Sequence, residues 1–358
     1  MNQIIPALQI LIAFQCLFFL GFLVLAGRLN VTANRLLFIL LAVFAVHMTA
    51  NLVNQHLYTN IWPNFSIGLG YAYGPTIYLY TMALIFKGFT LKPKHILHAL
   101  PCFLIIVLTT RVHLEATIYA LGIFASLLSY IYQSRKELRK YRHVLSQTRS
   151  GFNEIALHWL SRLLVIQLVL LVINIASVTL YSGGFEQIGF LMEIALFISL
   201  LFLVSFVVFN GLQHPELFEG ITQEDQDLTN QSSSEKPQIM SEAEVSSLLQ
   251  KIDQHMSEKQ TFLNPSLTVK ALGRQLATNP KYISQAINIG KKQNFSEYVN
   301  SFRISYAQSL LTREGDEDLS VLDILLQSGF NTKSNFNRSF KDQTGLTPLE
   351  FKRKNVGK

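Results

Sequence analysis

Nine polar side chains near the C-terminus fall into two sets, each on one helical face. Lys281, Ser284, Gln285 and Asn288 form the first; Ser334, Asn337, Arg338 and Lys341, with Lys333 beside them, repeat the spacing 53 residues later. Such a face pairs no nucleophile with a base and has no metal-ligand spacing. It can hydrogen-bond and pair charges with a surface of ordered donors, acceptors and anions.

The elements that must hold these faces are legible around them. Val269, Leu272 and Leu276 mark a scaffold helix. Asn279 then supplies an N-cap and Pro280 a first-turn proline for a second helix that buries Tyr282, Ile283, Ala286 and Ile287. Two short helices joined by a tight turn, with a polar face outward, is the helix-turn-helix arrangement. Carried forward 53 residues, the pattern sets Leu322 and Leu325 at the positions of Val269 and Leu272, and Phe336 and Phe340 at those of Ile283 and Ile287. Gly329 can end the second scaffold helix in the left-handed conformation. Between the units, 296–313 reads as one long helix with Tyr298, Phe302, Tyr306 and Leu310 on a face, and Thr347 to Glu350 caps a last short helix.

Upstream, Ser241 and Glu244 form a capping-box pattern before an apolar stripe of Val245, Leu248, Leu249, Ile252 and Met256. The stripe admits either a dimer seam with a second copy or packing on the following domain. Residues 211–260 carry three Lys/Arg against ten Asp/Glu, and 262–358 carry fourteen against eight. The basic end suggests a polyanionic partner. The segment from His214 to Pro237 lacks apolar periodicity and reads as a flexible linker.

The first 212 residues are different in kind: 49% of the whole chain is hydrophobic, and most of that lies here. Apolar runs long enough to approach a bilayer crossing occur at 4–26, 36–57, 65–86, 96–110, 116–133, 163–181 and 187–210. The third contains Gly68, Gly70, Gly74 and Pro75, and the fourth contains Pro101, so both are expected to kink. Alternate loops hold twelve Lys/Arg, while the intervening ones hold only Arg111. That asymmetry places the N-terminus outside and the C-terminal domain in the cytoplasm. The run from Ile4 to Ala26 lacks a basic n-region and a cleavage site, so it reads as a retained span. Cys16 and Cys102 lie within apolar runs and read as buried small hydrophobes.

An ionisable group inside a span is costly enough to be a functional candidate. Glu193 and His47 are therefore the signal or ligand residues, while Asn51, Asn54, Gln167 and Asn174 read as polar bonds between helices.

The stretch from about Asn264 to Lys354 resembles the AraC/XylS DNA-binding domain. The resemblance is densest in Ser-Gly-Phe-Asn-Thr-Lys-Ser-Asn-Phe-Asn-Arg-Ser-Phe-Lys (328–341) and Thr-Gly-Leu-Thr-Pro (344–348). Two departures bear on local packing: Leu325 stands where the family usually has alanine, and Asn294 near its usual glycine. The membrane half, including Tyr-Gly-Pro-Thr-Ile-Tyr-Leu-Tyr (73–80), resembles the multi-span region of membrane-bound members. The resemblance implies double-stranded DNA and RNA polymerase as partners, a signal molecule or membrane partner, and residence in a bacterial inner membrane. It also implies that Arg338 and Gln285 read base edges, since Arg can make two bonds to guanine and Gln two to adenine, and that Lys281, Asn288, Ser334, Asn337 and Lys341 meet phosphates or bases.

The expected chain is thus all-α. A seven-helix transmembrane bundle (1–212) leads through an acidic linker (213–240) and an amphipathic helix (241–260) to a double helix-turn-helix domain (261–358). The chain carries no phosphate-loop motif, no His-Glu-x-x-His and no glycine-rich nucleotide fingerprint, so no catalytic residue, cofactor or metal is assigned. The competing class is a membrane transporter or receptor whose tail is a protein-interaction module; several converging intramembrane polar groups would favour it, and salt-dependent DNA retention would exclude it.

Overall fold

The computed structural model describes residues 3–57, 61–109, 116–151, 154–213, 220–222, 224–226, 228, 240–312 and 319–356. These residues are predominantly helical and contain no strand; one isolated bridge pairs Arg149 with Thr268. The chain divides into two compact units, 1–139 with 158–220, and 140–157 with 221–358.

The first unit holds α1 (Ile4–Leu25), α2 (Thr32–Leu57), α3 (Ile61–Gly70), α4 (Tyr73–Ile85), α5 (Leu100–Thr109), most of α6 (Ala116–Thr148) and of α7 (Glu154–Ser182), and α8 (Glu186–Gln213). Among the described residues, Ile4–Leu25, Thr32–Asn54, Trp159–Ser182 and Glu186–Gly211 are each long and apolar enough to cross a membrane. The third apolar run breaks at Tyr71 and Ala72 into α3 and α4, and the fourth bends from a 3₁₀ turn, Pro93–Ala99, into α5. The glycines of the broken run are packing sites: a Cβ on Gly68 would strike Ile106 of α5, and one on Gly74 would strike Tyr130 of α6. Phe14, Phe18, Phe202 and Phe209 stand exposed on α1 and α8. Exposed aromatic surface of this kind marks a protein or membrane interaction site.

The second unit begins with 140–157 and continues in α9 (Glu242–Lys259), α10 (Val269–Gln275), α11 (Pro280–Lys291), α12 (Phe295–Leu311), α13 (Val321–Gln327), α14 (Lys333–Thr344) and α15 (Pro348–Val356). Ser241 caps α9 reciprocally with Glu244, as its spacing predicts. The apolar stripe of α9 is covered within the chain. Val245, Leu249, Ile252 and Met256 are buried in one core with Leu272, Ile283 and Ile287, so the stripe packs on the following domain. Most of the expected linker lies outside the described residues; within it, 224–226 are helical and Asp225 pairs with Lys270 at 3.0 Å. Burial pushes the Asp225 carboxyl up, but hydrogen bonds from Thr222 and Lys270 outweigh it and hold the group below the usual carboxylate range.

The second core gathers Ile304, Ala307, Leu310, Leu311, Ile324, Leu325, Phe330, Phe336 and Phe340. Helix α12 belongs to both cores, with Tyr298 and Val299 in the first and Tyr306 packed against each. One helix therefore fixes the spacing of the two helix pairs.

Candidate nucleic-acid interface

In the first pair, Thr268 caps α10 by accepting from the Ala271 N–H at 3.1 Å, and Asn279 caps α11 by accepting from the Lys281 N–H at 2.9 Å. The turn between them is tight enough that a Cβ on Gly273 would sit 2.7 Å from the Thr278 carbonyl oxygen and 3.0 Å from Pro280. Ile283, Ala286 and Ile287 anchor α11 to its core, as the sequence predicts. Tyr282 does not join them; it is 36% exposed, because it lies one residue, about 100° of helical turn, from Ile283.

The second pair corrects the uniform repeat. Its caps are Ser320 for α13 and Thr332 for α14, so the first helices of the two pairs are offset by 52 residues and the second helices by 53. The second turn is one residue longer. Leu322, assigned to the core by the 53-residue offset, is 59% exposed, and Val321, Ile324 and Leu325 face inward instead. In the corrected register Leu325 is the counterpart of Gly273, and it is buried in the second core. Gly329 has φ +78, and a Cβ on it would lie 2.7 Å from the Leu263 carbonyl oxygen, so the expected left-handed stop is present. Asn294, the other departure, caps α12 reciprocally with Glu297. Thr347 and Glu350 do the same for α15.

On α14, Lys333, Ser334, Arg338 and Lys341 are exposed, Asn337 is half-buried, and Phe336 and Phe340 are fully buried opposite them. Asn335 accepts from Arg338 Nη2 at 3.4 Å. On α11, Asn288 is exposed, while Lys281, Ser284 and Gln285 are partly covered. Two of these side chains are engaged by a residue that sequence reasoning passed over: Ser284 Oγ donates to the Gln147 carbonyl at 3.3 Å, and Asn288 Nδ2 donates to Gln147 Oε1 at 3.1 Å.

Gln147 belongs to a clasp that runs to Gly151. The Ser150 N–H and Oγ both donate to the Leu267 carbonyl, at 3.0 and 2.9 Å, and Asn331 Nδ2 donates to the Gly151 carbonyl at 3.3 Å. Arg303 sits beneath, fully buried. It donates through Nε to Phe262 O (2.6 Å), through Nη1 to Ser150 O (3.2 Å) and Asn300 Oδ1 (3.3 Å), and through Nη2 to Ser150 Oγ (2.9 Å) and Asn264 O (2.7 Å). Phe330 offers its ring 5.6 Å from the guanidinium carbon. Burial pulls the Arg303 pKa down to about 10, which leaves it charged at neutral pH.

The residues singled out in the apolar half come together as well. His47, Glu193, Asn51, Asn54, Gln167 and Asn174 all line one cavity of the first unit. His47 and Glu193 do not pair with each other: His47 Nδ1 lies 2.6 Å from the Tyr73 hydroxyl, and the Tyr181 hydroxyl donates to Glu193 Oε2 at 3.2 Å.

A family model described as a helix-turn-helix domain matches residues 272–354. The chain is 36% identical over 86 residues to a Bacillus subtilis protein named as the uncharacterized HTH-type transcriptional regulator YtdP, covering 24% of this chain and 11% of that one. It is 35% identical over 96 residues to the uncharacterized transcriptional regulatory protein YesN of the same organism, 26% of each chain. It is 32% identical over 98 residues to the transcriptional activator RhrA of Rhizobium meliloti, 27% of this chain and 31% of that one. The chain thus spans less than a third of the length of each of these three relatives. No solved structure matches it.

Proposed function

We propose that this chain, whose C-terminal part carries an AraC-type helix-turn-helix domain, is a membrane-embedded one-component transcription regulator. The observation that carries the reading is the repeated helix pair held at fixed spacing by α12, each second helix anchored by apolar residues and turning a polar face away from its core. In this reading α11 and α14 enter successive major-groove segments, with Gln285 and Arg338 on base edges and Lys281, Ser284, Asn288, Lys333, Ser334, Asn337 and Lys341 on bases or phosphates. RNA polymerase and a second copy of the chain are further partners.

The apolar half then crosses the inner membrane seven times, the broken α3 and α4 counting as one crossing and the bent segment 93–109 as another. The four long apolar helices and the twelve-to-one loop asymmetry support this. A reporter active only in the cytoplasm should work when fused after residue 215 and fail in the loop at 182–185. Activity at the second position would refute the seven-span arrangement.

Regulation acts through the clasp. Gln147 lies in the last turn of α6 and Ser150 between α6 and α7, and Gln147 occupies two side chains of the first reading face. A signal received by the membrane half releases or tightens that hold. The direct test is salt-dependent retention of DNA by residues 238–358. A folded fragment with no affinity for DNA even at low salt would remove the proposal.

A further inference from the structure

The cavity of the first unit has a chemistry that its size alone does not specify. It measures about 540 Å³ and is lined from helices α1, α2, α3, α4, α6, α7 and α8. Its polar atoms are biased towards acceptance. Gln9 and Gln167, 3% and 8% exposed, each present a buried amide oxygen with no hydrogen-bond partner. Such a group costs free energy unless something donates to it. Glu193 adds a carboxylate whose one described partner is the Tyr181 hydroxyl, and among the described residues no Lys or Arg lines the cavity. A carboxylate on the wall of a largely apolar cavity is better satisfied by a cation than by another apolar group. His47, Asn51, Asn54, Asn174 and Ser177 add polar groups to the wall, and the rest of it is aromatic and aliphatic, with Phe124 and Phe197 among its rings. Ring faces attract ammonium groups.

We infer that this cavity binds a small organic ammonium ion, its charged head at Glu193, its N–H groups towards the amide oxygens of Gln9 and Gln167, and its apolar body against the aromatic wall. This rests on reading the membrane half as the sensing part of the regulator, and names the class of signal it takes. Anions are disfavoured by Glu193, and neutral apolar molecules would leave both amide oxygens unsatisfied.

The test uses the full chain in lipid nanodiscs and follows binding calorimetrically with three ammonium probes: butylammonium, phenethylammonium and pentane-1,5-diammonium. Phenethyl alcohol and phenylacetate serve as neutral and anionic controls. At least one ammonium probe should saturate, with the controls weaker by about tenfold or more, the worth of one charge-assisted hydrogen bond. Glu193→Gln should lose about tenfold or more, and Gln167→Leu a smaller factor of roughly three to ten, the worth of one neutral hydrogen bond. Thermal unfolding of each variant establishes that it is folded, and Gln167→Leu alone carries the comparison should Glu193→Gln not fold. The inference is overturned if no ammonium probe saturates, if phenethyl alcohol binds as tightly as phenethylammonium, or if the folded variants bind as the parent does. DNA retention scored on the same nanodiscs separates the failures. Intact retention without ammonium binding removes only this inference, whereas lost retention removes the regulator reading.

Discussion

Arg303 Nη2 donates to Ser150 Oγ at 2.9 Å across 153 residues of sequence, and both residues are fully buried. No carboxylate accompanies the guanidinium among its described partners; backbone carbonyls, Asn300 and Ser150 accept its five bonds. Removing the arginine strands several acceptors at once. Arg303→Met should therefore destabilise the second unit by about 3 to 5 kcal/mol, and Ser150→Ala by about 1 to 3 kcal/mol. Urea titration monitored by hydrogen exchange of the α12 amides ranks the two, and an Arg303→Met protein no weaker than Ser150→Ala would deny Arg303 its place as the hub.

Gln147 holds Ser284 and Asn288 through two hydrogen bonds, neither of which any DNA-bound state can keep if those side chains face DNA. Gln147→Ala should raise the affinity of the full chain for DNA by roughly three- to tenfold, the worth of one or two neutral hydrogen bonds. Residues 238–358, which lack Gln147 altogether, should bind more tightly than the full chain. Fluorescence anisotropy with a labelled duplex makes both comparisons. Equal affinities would mean that the contact does not oppose DNA.

What the sequence disclosed was whatever is encoded locally. The Ser241/Glu244 and Thr347/Glu350 boxes, the Asn279 cap, the left-handed Gly329 and the buried Phe336 and Phe340 follow from spacing within one or two helical turns. The repeat itself was legible, but a single offset could not register a turn lengthened by one residue, and Leu322 was misplaced for that reason. Arg303 left no signal. In a helix with Glu297, Asn300 and Ser301 nearby it reads as solvated, and its burial depends on carbonyls 39 to 153 residues away. The polar residues of the apolar half were identifiable one by one as costly. Their convergence on one cavity depends on the packing of seven helices.

Gly273 tests the turn of the first pair. Any side chain there meets the Thr278 carbonyl at 2.7 Å, backbone that cannot swing aside. Gly273→Ala should cost about 1 to 3 kcal/mol through overpacking and weaken DNA binding by displacing α11. Gly345 offers the contrast. Its φ is +76 with nothing near its missing Cβ, so Gly345→Asn should be tolerated. Thermal melts of both variants decide, and equal melting points would show that the close approach at Gly273 relaxes freely.

Roles on α14 separate by what each side chain faces. Arg338 and Lys341 are exposed on the polar face, whereas Phe336 is fully buried and stacks edge-to-face with Phe330 and Phe340, ring centroids 5.2 and 5.7 Å away. A bidentate base contact is worth about 1 to 3 kcal/mol of discrimination, while a phosphate contact weakens all sequences alike and lowers the salt slope by about one unit. Arg338→Ala should therefore relax preference at one or two base pairs, and Lys341→Ala should weaken binding broadly with a shallower salt dependence. Phe336→Ala should lose about 3 to 5 kcal/mol of stability through a core cavity and fail to bind because it unfolds. Selection from randomised duplexes with each purified variant, paired with circular dichroism, distinguishes the three. A folded Arg338→Ala protein with unchanged base preference would strike Arg338 from the readers. If its affinity were unchanged too, the second helix pair would not engage DNA.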